Sequence, residues 1–172
     1  MELILPGAEY ARAIAAFRQE FLDFGGDHDG MGSLVRESVD EWLLHRREKS
    51  LPETCPPDLV PCTQFLYYRK EDRKIVGAIQ VRHYFNEYLE KYAGHIGYSV
   101  CPSERRRGYA KEMLRAVLPY CRDTLGLNRV LISCKTSNEA SRRTILACGG
   151  VYEKTVHEPK KDLDLERYWI EL

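Results

Sequence analysis

The stretch Tyr98-Ser99-Val100-Cys101-Pro102-Ser103-Glu104-Arg105-Arg106-Arg107-Gly108-Tyr109-Ala110 decides the fold of this chain. Gly94 to Val100 reads as a strand, and a polar turn follows. An apolar stripe of Ala110, Met113, Leu114, Val117, Leu118, Cys121 and Leu125 then predicts a helix from Arg107 to Leu125. A helix start leaves about four backbone N–H groups without internal partners, and with the helix dipole these form an anion site. Gly108 lets a ligand approach the backbone, and Ala110 is small for the same reason or for packing. Three consecutive arginines supply charge and forked donors suited to phosphate oxygens. The segment is not a P-loop, because it lacks Gly-Lys-Ser/Thr, and not a dinucleotide GxGxxG, because it holds a single glycine.

Downstream, Arg129 to Cys134 is a nearly continuous apolar run, as expected of a central strand covered on both faces. Glu139 to Cys148 predicts a helix stopped by Gly149-Gly150, and Val151 to His157 and Glu166 to Leu172 predict two closing strands. Upstream, Leu3 to Leu5 reads as a short strand. Tyr10, Ile14, Phe17, Phe21 and Phe24 give one helical stripe over Ala8 to Phe24, broken by Gly25 to Gly30. Val39 to Arg47 predicts a second helix with Ser38 as N-cap. Leu51 to Pro61, with four prolines, reads as a loop. Thr63 to Arg69 and Ile75 to His83 form a hairpin about a charged turn. Tyr84 to Tyr92 is a short helix or an ordered loop. The order predicts a mixed α/β layer arrangement around one sheet.

At 172 residues, with 44% hydrophobic and 30% charged residues, the chain suits one globular domain. Lys plus Arg (26) balances Asp plus Glu (26), so no long-range attraction to nucleic acid or an anionic membrane is built in. The start lacks a basic region and a long apolar stretch, and no apolar run approaches a membrane span, so a cytoplasmic location is expected. The six cysteines form no CxxC pair and no zinc spacing, so no metal is expected and buried, reduced thiols are.

The pattern Arg/Gln-x-x-Gly-x-Gly/Ala, met by Arg105, Gly108 and Ala110, resembles the GNAT superfamily of N-acetyltransferases. The resemblance implies that Arg105, Arg106, Arg107, Gly108, Tyr109 and Ala110 hold the pyrophosphate of acetyl-coenzyme A. It implies that Tyr98, Ser99 and Val100 lend backbone groups to the pantetheine arm, that Asn138 contacts the cofactor and that Ser141 lines its channel. Gly149 stands eleven residues after Asn138, where such relatives close the helix. The implied fold is the acyl-CoA N-acyltransferase (GNAT) fold: one mixed central sheet of about seven strands flanked by about four helices, with residues 1–172 forming a single N-acetyltransferase domain. The implied reaction moves an acetyl group from acetyl-CoA to a primary amine of a small molecule or a protein by direct attack on the thioester.

Such a transfer needs a neutral amine, whose unperturbed pKa is about 10.4 if it is of the lysine type, so a base or water relay must take its proton. His95 and Glu87 are the candidates. The oxyanion needs a donor, expected from a backbone N–H near Ser99 to Cys101. For the leaving thiolate, many relatives use a tyrosine where this chain has Ile145, and an aromatic where it has Gly150. Ser141 or a water is the expected substitute, ahead of Tyr98 and Tyr109. Asp27, His28 and Asp29 could receive a cationic acceptor, and Arg82 and His83 could face it. The missing tyrosine motivates an alternative, a non-catalytic acyl-CoA sensor. A nucleic-acid module on Arg105 to Arg107, Arg142 and Arg143 is disfavoured by the zero net charge. An edge strand at Glu166 to Leu172 could pair with a second copy in a homodimer.

Overall fold

The computed structural model describes residues 1–25 and 28–172. Its elements are β1 (Glu2–Ile4), α1 (Ala11–Phe24), α2 (Val39–Glu48), β2 (Cys62–Arg69), β3 (Lys74–Arg82), β4 (Ile96–Val100), α3 (Tyr109–Asp123), β5 (Arg129–Lys135), α4 (Glu139–Ala147), β6 (Val151–Glu158) and β7 (Leu163–Glu171). The ambiguous segment at 84–92 resolves into a short π-helix, Leu89–Ala93. Two short 3₁₀ turns, Ala8–Tyr10 and Pro102–Glu104, precede α1 and α3.

The predicted α/β class and the seven strands are present. The strands form an antiparallel four-stranded sheet, β1-β2-β3-β4, and an antiparallel three-stranded sheet, β5-β7-β6. The two meet at an isolated bridge, Gly94 to Ile132, and beyond it β4 and β5 are not paired. One boundary differs from expectation. β7 lies inside its sheet between β5 and β6, so the exposed edge is β6, not Glu166 to Leu172.

Helices cover both faces. Ile14, Phe17 and Phe21 of α1 and Trp42 of α2 pack with Met31, Leu34, Leu66 and Ala78 on one face. Met113, Leu114, Val117 and Cys121 of α3 and Ile145 of α4 pack with Val76, Ile79, Val81, Val130 and Ile132 on the other. The alternation of β3 drives this split: Ile79 and Val81 face α3, while Ala78 faces α1. Ser38 caps α2 in a capping box with Glu41, so the N–H groups of Ser38 and Glu41 are satisfied without tertiary help.

The segment between α1 and α2 is pinned onto the sheet. Trp42 Nε1 donates to Met31 O at 2.8 Å, Arg18 Nε to Leu34 O at 2.8 Å and Gln64 Nε2 to Gly30 O at 2.7 Å. Gly30 has φ +72°, and a Cβ there would stand 2.2 Å from Gly97 O, so only glycine permits this approach to β4.

Candidate functional site

The turn before α3 is built from its anchors outward. Glu104 is 5% exposed. Its carboxylate accepts from Arg69 Nη2 at 2.9 Å and Nη1 at 3.0 Å and pairs with Lys74 at 3.2 Å and Arg107 at 3.4 Å. Hydrogen bonds from Arg69 first, and then the nearby positive charge, hold its pKa below the ordinary value. Arg69 also donates to Tyr109 Oη at 3.2 Å, and Tyr67 Oη donates to Glu112 Oε2 at 2.8 Å. These contacts fix the first turn of α3 against β2. Sequence reasoning missed Glu104, Arg69 and Lys74; the sole signal was an acidic residue beside three arginines.

On that base the chain turns through Arg106 at φ +65° and Gly108 at φ +87°. Gly108 is the N-cap of α3, and no side chain caps the helix. The helix therefore begins at Tyr109, two residues later than predicted, and Arg107 belongs to the turn. The first intrahelical bond runs from Glu112 N to Gly108 O at 3.1 Å, so the N–H groups of the first turn remain for a ligand. Arg105, Arg106, Arg107 and Gly108 are exposed, while Tyr109 and Ala110 are half-buried. Arg105 lies over the Phe24 ring at 4.7 Å. The arrangement presents uncapped amides, a helix dipole and three guanidinium groups on one accessible turn, which suits a pyrophosphate.

Beside the turn runs the unpaired edge of β4. Cys101 N–H bonds to Val76 O, and Arg82 N–H to His95 O. Antiparallel alternation then directs Gly97, Ser99 and Cys101 at β3 and leaves the backbone of Tyr98 and Val100 at the open edge. This narrows the oxyanion donor: Cys101 is committed to β3, and Val100 and Tyr98 are free. Across the gap, Tyr98 Oη and Ser141 Oγ are 2.9 Å apart, which joins β4 to α4. Burial pushes the Tyr98 phenol upward, so it stays protonated. Asn138 Oδ1 accepts from Ser141 N at 3.0 Å as the N-cap of α4. Its amide nitrogen has no partner among the described residues.

The remaining candidates separate. His95 is 4% exposed, with Nδ1 accepting from Leu131 N–H at 3.0 Å and its ring on Phe85 at 3.9 Å. Burial, reinforced by Arg82, lowers its pKa to about 4. A neutral imidazole with Nδ1 engaged carries its proton on Nε2 and has no lone pair left, so in this arrangement His95 cannot serve as the base; it pins β4 to β5 instead. Glu87 is exposed and makes no ion pair among the described residues. Asp27 lies outside the described residues. Asp29 is tied by its carbonyl to Ser99 Oγ, and His28 is half-buried. His83 and Arg82 point to opposite faces. His83 Nε2 meets Thr63 Oγ1 at 2.8 Å, and that hydroxyl meets Tyr120 of α3, so only Arg82 faces the α2 side. Arg142 is bound to Glu166 at 2.7 Å and Arg143 to Glu139 at 2.7 Å.

Ile145 is fully buried in the core. Gly150 complements it: a Cβ there would stand 2.4 Å from Ile145 Cγ2 and 2.9 Å from its carbonyl oxygen. The two departures from the relatives' pattern are thus one packing solution. Gly150→Ala is expected to cost about 1–3 kcal/mol by overpacking; urea denaturation measures it, and an unchanged midpoint would contradict the tight fit.

A family model for the acetyltransferase (GNAT) domain matches residues 8–151. The chain belongs to the GNAT family. Its GNAT relatives include an uncharacterised N-acetyltransferase, YoaA, of Bacillus subtilis (strain 168), 30% identical over 107 residues. That match spans 59% of this chain and 58% of the relative's length. Among solved GNAT structures, the ribosomal-protein-S5-alanine acetyltransferase of Vibrio fischeri is similar with a TM-score of 0.71 at 18% identity, covering 98% of this chain and 91% of that one. The microcin C7 self-immunity acetyltransferase MccE, in complex with acetyl-CoA and AMP, is similar with a TM-score of 0.67 at 16% identity, covering 99% and 91%. At such identities the likeness is one of GNAT fold. Among the described residues no helix is long and apolar enough to cross a membrane.

Proposed function

We propose that this GNAT protein is an N-acetyltransferase that binds acetyl-CoA on the Arg105–Ala110 turn and acetylates a primary amine. The observation that carries it is the uncapped start of α3, ringed by exposed arginines and set beside the free edge of β4. Arg105, Arg106, Arg107 and the first-turn amides of Gly108, Tyr109 and Ala110 would hold the pyrophosphate. Tyr98 through its open-edge backbone and Val100 through its N–H would carry the pantetheine arm, with Ser99 behind them and the Asn138 amide and Ser141 on the opposite wall; the Val100 carbonyl accepts from Arg105 Nε at 3.4 Å.

The amine nitrogen attacks the thioester carbonyl; a C–N bond forms and the C–S bond breaks. The oxyanion is met by the backbone N–H of Val100 or Tyr98. The amine proton leaves through water or Glu87, and the thiolate is protonated from the Ser141–Tyr98 hydroxyl pair. The two oxygens are 2.9 Å apart and burial keeps the phenol protonated, so Ser141 gives the proton to the thiolate and the pair is reprotonated from solvent. Ser141→Ala and Tyr98→Phe are each expected to lower kcat by about 10- to 100-fold, within the usual range for a positioned acid, while the affinity for acetyl-CoA stays within about threefold. Thiol release against a panel of amines checks it, and full turnover in both variants would remove the pair from the mechanism.

Buried Ile145 at the place of the relatives' tyrosine supports a second reading, a non-catalytic acyl-CoA sensor. Tight acetyl-CoA binding with no thiol release on any amine would select it. The six free cysteines fit a reducing, cytoplasmic setting. A homodimer formed by strand pairing would use β6, an open edge of its sheet, rather than Glu166 to Leu172.

A further inference from the structure

A cavity of about 370 Å³ lies on the α2 side of β3, the strand paired with β4. Gln80 and Arg82 of β3 line it, and they sit directly across from Gly97 of β4 and His95 just before it. The 29–33 segment bridges the two places. Asp29 holds Ser99, Gly30 rests on Gly97, and Gly32 and Ser33 line the cavity. An acceptor seated here would therefore lie beside the backbone proposed to meet the acetyl group.

The charge of the cavity is one-sided. Arg36, Arg46, Lys49 and Arg82 line it, and among the described residues no Asp or Glu does. None of these four cations forms an ion pair among the described residues. The carboxylates that act on them are Glu37, paired with His45 at 3.1 Å, and Asp29, both outside the lining. Arg46 is the built feature. It is 6% exposed, lies near the Trp42 ring at 6.0 Å and is backed by Gly32, where a Cβ would stand 2.5 Å from its Nη1. Its Nε is buried with no hydrogen-bond partner. A buried guanidinium with no carboxylate in contact is costly, and an anion that accepts its free donors offsets that cost.

We propose that this cavity binds an anionic group of the acceptor, a carboxylate or a phosphate, so that the substrate class is a primary amine carrying a negative charge rather than a polyamine. The proposal rests on the acetyl-transfer function above and names its acceptor side. It also replaces the expectation that Asp27, His28 and Asp29 receive a cationic acceptor: Asp27 lies outside the described residues, and Asp29 acts on Arg82 of a cationic lining.

The test uses matched acceptors on the full chain at saturating acetyl-CoA: phenylalanine against phenylalaninamide, phosphoethanolamine against ethanolamine, and spermidine. The anionic member of each pair is expected to show a kcat/KM at least about tenfold higher, as one charge-assisted contact allows, and spermidine the lowest of all. The larger ratio of the two pairs tells carboxylate from phosphate. Arg46→Gln and Lys49→Gln should each raise KM for the anionic acceptors and narrow the gap to the neutral partner. Lys49 is half-exposed, so that variant carries the test if Arg46→Gln does not fold. A second readout needs no turnover. With coenzyme A saturating its own site, phosphoethanolamine should raise the melting temperature of the wild type and not of Lys49→Gln. Equal or better turnover of the neutral amines or spermidine would overturn the proposal and leave acetyl transfer standing. A chain that does not bind acetyl-CoA would remove the transfer reading, and the phosphoethanolamine shift measured without coenzyme A would still decide whether the cavity takes an anion.

Discussion

Gly108→Glu is expected to abolish acetyl-CoA binding, with affinity falling at least about 100-fold, roughly 2.7 kcal/mol. Three effects add. The carboxylate repels the pyrophosphate, the side chain fills the approach to the first-turn amides, and φ +87° disfavours any L side chain. Gly108→Ala separates them. A Cβ meets only Glu112 Oε1, at 3.9 Å, so alanine adds little bulk and keeps only the strain, about 1 kcal/mol. Calorimetric titration should show a modest loss for alanine and no binding for glutamate, with both variants folded by circular dichroism. Unchanged affinity in Gly108→Glu would sink the assignment of the turn.

Glu104→Ala is expected to be the most destabilising change near the site, at about 3 kcal/mol. It leaves Arg69 and Lys74 without the carboxylate that joins them, and the Glu104 side chain is only 6% exposed. The pH dependence follows from the direction of its shift. Its folded-state pKa lies below the ordinary 4.5, so its contribution is whole above that value and is lost as pH falls through the lower folded value. Glu104→Gln should flatten the acid limb of the stability profile between about pH 4.5 and its lower end. Acetyl-CoA affinity should fall in both variants, because the turn from Pro102 to Arg107 hangs on this residue. A melting temperature within about 2 °C of wild type would contradict the network.

What was legible in the sequence was local. The stripe from Ala110 to Leu125 announced α3, and Ser38 announced the start of α2, because helical period and capping act within a few residues. The turn at Arg105 to Ala110 was legible for the same reason. What stayed hidden depends on contacts far apart in the chain. Arg69 and Glu104 are 35 residues apart, and nothing in either neighbourhood marks them as partners. His95 looked like a base because its type suits one, and only its burial between β4 and β5, with Nδ1 engaged, gives it a structural role. The cationic cavity joins Arg36, Arg46 and Lys49, before and at the end of α2, to Arg82 of β3, and the balanced net charge concealed it. Ile145 and Gly150 each read as a missing catalytic or aromatic group, whereas together they fill one space.

Amide hydrogen exchange with and without acetyl-CoA tests the account most directly. Protection is predicted at residues 106–111 on the start of α3, at Tyr98 and Val100 on the free edge of β4, and at Asn138 to Ser141, with β6 and the far end of α2 unchanged. Protection that appears elsewhere and spares the start of α3 would contradict it.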